Sequence, residues 1–182
     1  LAGGAAAYTL RKRDLTTYSF DANNRLASIA DRNGNTFTLT YTGSNLTQVT
    51  DTAGRNVTLA YDASNRITTI TDALARTIQF TYDASGNLAT ARDARGQVTT
   101  YAYDANRQMT KVTDPRGNDL VTNTYDASRR VVTAQRDAKL GETTYVYDEA
   151  NNKTTVTYPI GGTVDYHDTL LRLIRQDDAN GN

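Results

Sequence analysis

Apolar and polar residues alternate along this chain in short runs that stop at regular intervals. Val57, Leu59 and Tyr61 stand at every second position, as do Ile78, Phe80 and Tyr82, with Thr, Ala or Gln between them. Phe37, Leu39 and Tyr41 repeat the arrangement. Successive side chains of a strand point to opposite faces, so a period of two predicts strands with one apolar face and one polar, Thr-rich face. The run from Arg66 to Thr71 is also rich in β-branched residues, but Ile67 and Ile70 are three apart and share a face only across a bulge. No window of about 11 residues keeps a helical apolar period, so helix is not expected.

Each run ends in turn chemistry. Asp83-Ala-Ser-Gly86 and Asp93-Ala-Arg-Gly96 both offer an Asp whose carboxylate accepts a backbone N–H two residues on, then a Gly that takes positive φ without steric penalty. In Asp114-Pro115-Arg116-Gly117 the proline presets φ at the second turn position.

These phrases repeat. Tyr-Asp pairs begin at Tyr61, Tyr82, Tyr103, Tyr125 and Tyr147, in steps of 21, 21, 22 and 22 residues. A second marker, Asp followed three residues later by Gly, keeps step with them at Asp31/Gly34, Asp51/Gly54, Asp93/Gly96, Asp114/Gly117 and Asp178/Gly181. Degenerate copies fill the gaps: Phe20-Asp21 and Tyr41-Thr42 for the first marker, Asp72/Ala75 and Asp137/Gly141 for the second. Residues 1–17 form a lead-in strand region with an incomplete repeat, and 18–182 the array. A period of about 20 to 50 residues marks a repeat architecture, in which stability is summed over units. The expected fold is therefore all-β: an antiparallel β-hairpin meander of repeats about 21 residues long, two strands and two turns each. Some 17 strands at roughly 4.8 Å spacing give a ribbon about 80 Å wide, too broad to stay flat against the right-handed strand twist, so a curved strip is expected. With 12 Tyr, 3 Phe and no Trp, regularly spaced cross-strand aromatic pairs replace one thick core. Leu1 in place of Met, and an array ending directly on a turn at Asn182, read as the ends of a piece cut from a longer chain.

Charge narrows the function. Lys plus Arg equals Asp plus Glu at 20 each, and the only basic cluster is Arg11, Lys12 and Arg13, so no field concentrates nucleic acid or an anionic membrane. No apolar run approaches the roughly 20 residues that cross a bilayer. The absence of Cys removes disulfides, thiolate catalysis and zinc-thiolate sites, and leaves the compartment open. His167, the single histidine, stands where the Asp of a Tyr-Asp pair is expected after Tyr166, and reads as a substituted turn residue rather than a base lacking a nucleophile. The carboxylates recur with the turns, and equivalent repeats give equivalent environments, unlike the contrasted acid and base of hydrolysis. Asp31-Arg-Asn-Gly-Asn35 and Asp178-Ala-Asn-Gly-Asn182 lack the bidentate Glu of a calcium loop. No catalytic, cofactor or metal site is expected, and no enzyme. Rows of Tyr rings stack on sugars, which makes Tyr61, Tyr82 and Tyr103 glycan-stacking candidates and a surface glycan-binding or adhesive module the alternative reading. Their shared face with Val57, Leu59, Ile78 and Phe80 favours a structural role.

Tyr82-Asp-x-x-Gly-Asn-Leu88, followed by Asp93-x-x-Gly96 and Tyr101-x-Tyr103-Asp104, resembles the YD repeat of Rhs proteins, a family that includes insecticidal toxin-complex subunits and, more distantly, teneurins. Asp31 to Tyr41, DRNGNTFTLTY, is similar to the start of bacterial Rhs arrays. The resemblance implies a β-hairpin strip that forms an arc of a hollow β-cage enclosing a C-terminal toxin domain. It implies a bacterial protein that is secreted or at the cell surface, delivered to competitor or host cells by secretion machinery such as type VI. The partners would be the rest of its own shell and the enclosed toxin, with carbohydrate the partner of the alternative reading. The family's cage-closing, self-cleaving segment is not visible; the spacing of Asp114 to Gly117 marks an ordinary repeat turn.

Overall fold

The structure, a computed structural model, describes residues 7–126, 128, 132–137 and 141–178. They form seventeen strands and one three-residue 3-10 helix, Glu149–Asn151. The chain divides into two units. The first runs to Thr81 and adds Arg92–Gly96. It carries β1 (Tyr8–Arg11), β2 (Thr17–Phe20), β3 (Leu26–Ala30), β4 (Thr36–Thr42), β5 (Asn45–Thr50), β6 (Asn56–Tyr61), β7 (Ile67–Thr71) and β8 (Thr77–Tyr82) as far as Thr81. The second holds β9 (Leu88–Arg92) as far as Ala91, β10 (Val98–Tyr103), β11 (Met109–Thr113), β12 (Asp119–Tyr125), β13 (Val132–Asp137), β14 (Gly141–Asp148), β15 (Lys153–Thr157), β16 (Gly162–His167) and β17 (Leu173–Asp178). Within the first unit each strand from β1 to β8 pairs antiparallel with its successor. Within the second the same holds from β10 to β17. The expected all-β meander is the observed fold.

The register explains the three-residue spacing of Ile67 and Ile70. Ala60 faces Thr69 but Tyr61 faces Ile67, so Thr68 is left over as a bulge. The extra residue turns Ile67 onto the face of Ile70, opposite Tyr61 and Leu59 respectively. The same slip stands between Ser19 and Phe20, Thr40 and Tyr41, Ala102 and Tyr103, and Thr124 and Tyr125. Each of these five bulges sits beside the aromatic residue of a repeat, whereas a further slip between Val112 and Thr113 does not.

The bulges build a continuous apolar face. Tyr18, Ile29 and Phe37 lie in line across β2 to β4, and Leu39, Val49 and Val57 across β4 to β6. Within β4, Leu39 and Tyr41 are half-buried while Thr38, Thr40 and Thr42 on the other face are exposed. That second face is held by polar side chains: Gln48 Nε2 donates to Thr50 Oγ1 and Asn56 Oδ1, and Thr50 Oγ1 donates to the same Asn56 oxygen at 2.8 Å. Among the described residues only Val156 is buried as a hydrophobic core residue, at 7% exposure. Stability therefore rests on cross-strand pairs repeated many times, each worth about 0.2–1 kcal/mol.

Candidate functional site

The repeated turn unit is a five-residue loop that opens on an Asp. The Asp62 backbone N–H closes it by donating to the Arg66 carbonyl at 2.9 Å, while Asn65 N–H donates to the Asp62 carbonyl at 3.0 Å. One carboxylate oxygen accepts the N–H groups of Ser64 and Arg66, at 2.8 and 3.0 Å, and the other accepts Arg66 Nε at 2.8 Å. An Arg or Asn four residues after the Asp therefore completes the loop. The turn chemistry expected from sequence included the contact two residues on and not this one, although Arg or Asn stands at that position after Asp21, Asp31, Asp51, Asp72, Asp83, Asp114 and Asp168. The fourth loop residue has positive φ whether or not it is Gly: Gly86 at 87°, but also Asn24, Asn65, Ala75, Arg107 and Leu171 at 60° to 64°. The hydrogen bonds anchored on the Asp offset a left-handed residue that local sterics disfavour by about 1–2 kcal/mol. Asp31 spends both carboxylate oxygens in this way, on Asn33 N–H, Asn35 N–H and Asn35 Nδ2, which is turn chemistry.

These bonds depress the carboxyls. Backbone and then side-chain donation from Arg66 holds Asp62 below the ordinary 3.8. For Asp31, Asp72, Asp83 and Asp114 the side chain of the fourth residue on is the largest cause. A depressed folded value means stability that is complete above the unfolded carboxyl range, about 4, and is lost as pH falls through the folded values. The melting temperature is thus expected to stay level from neutral pH to about 4 and to fall below it. In Asp62→Asn the melting temperature starts lower at neutral pH and converges on the parent in acid. A parent curve that rises as pH drops below about 4 contradicts this account.

The second repeated element is a tyrosine clamp. Tyr41, Tyr61, Tyr125 and Tyr147 donate their hydroxyls to the carbonyls of Leu26, Leu46, Met109 and Val132, at 2.9, 2.7, 2.7 and 2.8 Å. The accepting carbonyl belongs to the residue at or beside the first strand position after the preceding turn, so each clamp ties one repeat to the last. The degenerate Tyr41-Thr42 keeps this contact without the Asp. Arg25 adds a further tie: it pairs with Asp21 at 2.8 Å, lies over the Tyr41 ring at 4.4 Å and donates to the Gly43 carbonyl. Along the other rim Thr52 Oγ1 accepts Thr36 N–H and donates to the Thr36 carbonyl.

Tyr61, Tyr82 and Tyr103 are all half-buried. Tyr61 has its hydroxyl committed to Leu46, and burial, followed by Tyr101 and Asp83, pushes the Tyr103 phenol up. The three rings belong to successive repeats.

Two positions differ from what the sequence suggests. His167 is not the turn residue: it ends β16, faces Leu173 across a bulge as Tyr61 faces Ile67, and so stands in the tyrosine position. The turn Asp is Asp168, whose carboxylate accepts Leu170 N–H, Arg172 N–H and Arg172 Nε. Asp168-x-x-Leu-Arg172 carried that signal, one residue later than Tyr166 suggests. The other is Tyr147-Asp148, which does not open the common loop. Its turn is one residue longer, so the left-handed residue is Asn152 at φ 49°, and Asp148 caps the 3-10 helix through Asn151. The longer turn absorbs the extra residue, and β14 pairs with β15 without a bulge. The Asp178/Gly181 marker lies partly outside the described residues, as does the interior of Asp137/Gly141.

The RHS Repeat family profile matches residues 20–55, 41–77 and 82–119, more than half of the chain. The chain belongs to the RHS repeat family. Its fold recurs in a structure of the Photorhabdus luminescens Tc holotoxin pore, with TM-score 0.63 and 15% identity over 92% of this chain and 11% of that one. A crystal structure of TcdB2-TccC3 is similar at TM-score 0.61 and 18% identity, over 84% of this chain and 10% of that one. These RHS repeats thus span about a tenth of the length of those structures. No curated protein matches this chain.

Proposed function

We propose that this chain is a wall segment of an Rhs-type toxin shell, which encloses a C-terminal effector until delivery. The observation that carries the reading is the uniformity of the repeat. The same Asp loop, bulge and tyrosine clamp recur along the chain; the loop carboxylates are spent within their own turns and the tyrosine hydroxyls on the preceding repeat. A surface built this way separates two compartments; it neither digests nor grips. The likeness to a Tc holotoxin and to TcdB2-TccC3 supports a toxin assembly. In this reading the chain acts as a wall rather than as an enzyme. Its partners are the remaining repeats and the enclosed passenger, and its place is outside the producing cell, by secretion or at the surface. Secretion by a type VI machine and competition between bacteria are parts of the same proposal. Among the described residues no helix is long and apolar enough to cross a membrane.

The test is limited proteolysis of the full-length protein that carries these repeats, beside a variant lacking residues 18–147. The passenger is expected to resist in the first and to be cleaved rapidly in the second. Equal cleavage in both overturns enclosure and brings the adhesive reading forward.

A further inference from the structure

The loop between β3 and β4, Asp31 to Asn35, carries the one Asn-Gly pair among the described residues, Asn33-Gly34. Asn33 takes the third loop position, which Ala53, Ser64, Leu74, Arg95 and Asn106 hold in other copies. Its backbone N–H donates to Asp31 Oδ1 at 2.8 Å, as theirs do to their own Asp. That bond asks nothing of the side chain. The Asn33 amide is exposed, and among the described residues no hydrogen bond holds it. Gly34 is open as well: a Cβ there would meet nothing within 4 Å, so no neighbouring side chain screens this peptide. Its N–H donates to the Asp31 carbonyl at 3.2 Å, whereas the fourth residues of the other described Asp loops of this length make the same bond at 2.9 to 3.0 Å.

We propose that Asn33 is a site of spontaneous deamidation that opens the β3–β4 turn. The long Gly34 bond releases first. Hydroxide then takes the Gly34 amide proton, the Gly34 nitrogen bonds to Asn33 Cγ, and the Cγ–Nδ2 bond breaks with loss of ammonia. Glycine favours this closure because no Cβ crowds the attacking nitrogen and its backbone turns freely. Water opens the resulting succinimide in one of two ways. Addition at Cγ gives Asp at position 33; addition at the main-chain carbonyl gives isoaspartate, whose chain runs on through Cβ and Cγ. The loop bonds make the two products unequal. The Asp product leaves the main chain as it was, at a position that elsewhere carries side chains as different as Leu74 and Arg95. Isoaspartate adds one backbone atom between the N–H groups of residues 33 and 35, which share Asp31 Oδ1 at 2.8 and 2.9 Å. The lengthened chain cannot bring both to that oxygen, so the loop opens. This inference stands whether or not the repeats enclose a passenger.

The experiment ages the whole chain in warm, mildly alkaline buffer and maps its peptides by mass spectrometry, with isoaspartate detected by enzymatic methylation of its free carboxyl. The peptide holding Asn33 is expected to exchange an amino group for a hydroxyl at least about tenfold faster than the peptide holding Asn106, where the loop is alike but Arg107 follows at φ 64°. Gly34→Arg copies that Asn-Arg pair into the β3–β4 loop. It is expected to slow the conversion by a similar factor with the loop closed, as the bonds at Asp104 are. In the aged parent, hydrogen exchange is expected to quicken at the N–H groups of Asp31 and Asn35, which close the loop. The proposal is overturned if the Asn33 peptide keeps its mass, if Asn33 and Asn106 convert alike, or if Gly34→Arg converts as the parent does. Unchanged exchange at Asp31 and Asn35 in chains that hold isoaspartate overturns the opening of the turn.

Discussion

Gly162→Ala is expected to be the most damaging small substitution in the second unit. A Cβ at Gly162 would lie 2.5 Å from the Val156 carbonyl oxygen and 3.2 Å from the Thr157 Cα. Both are backbone atoms of β15, to which β16 is registered through Thr157 and Gly162. Neither yields as the end of a flexible side chain does, so the two strands must part beside Val156, the one buried hydrophobic among the described residues. Overpacking of this kind costs about 1–3 kcal/mol, and the rigidity of both contacts puts Gly162→Ala near about 3. Gly34→Ala supplies the contrast. Gly34 has φ 87°, but a methyl group there would meet nothing within 4 Å, so only the left-handed penalty remains. That penalty is about 1–2 kcal/mol. Thermal melting of the two variants reads the difference as a shift of roughly 2–4 °C per kcal/mol. A larger loss for Gly34→Ala than for Gly162→Ala contradicts the close approach.

Tyr61 separates the two parts of the clamp. Tyr61→Phe keeps the ring against Ile67 and removes the hydroxyl that reaches the Leu46 carbonyl at 2.7 Å, an expected loss of about 1 kcal/mol. Tyr61→Ala removes the ring too. Full burial of an aromatic residue puts its loss at about 3–5 kcal/mol, and half-burial reduces the expectation to about 2. Hydrogen exchange at Leu46 to Thr50 and at Ile67 to Thr71 is the more telling readout, because a clamp between repeats should loosen β5 and β7 together. Faster exchange in β7 alone, with β5 as in the parent, would mean that Tyr61 serves its own hairpin only.

Much of this architecture is written in local residue types. The period of two in Val57, Leu59 and Tyr61, and the Asp and Gly punctuation, act through steric and hydrogen-bonding preferences that span about five residues or fewer, so strands and turns could be placed without tertiary information. The bulge was half legible: the spacing of Ile67 and Ile70 required one, and only the register shows it at Thr68. The tolerance of Ala75, Arg107 and Leu171 for positive φ was not legible, because it comes from the whole set of loop bonds rather than from the residue itself.

Residue order at short range is enough to specify the repeat and the antiparallel meander. Three features came from the folded chain alone: which carbonyl each tyrosine reaches, that His167 replaces a tyrosine rather than an aspartate, and that the lengthened turn after Tyr147 absorbs an extra residue. These depend on residues about 15 positions apart being brought together by pairing, with register set by a bulge in one hairpin and by an added turn residue in another. A one-residue slip moves every side chain of a strand to the other face, and letters alone do not say where that residue is absorbed.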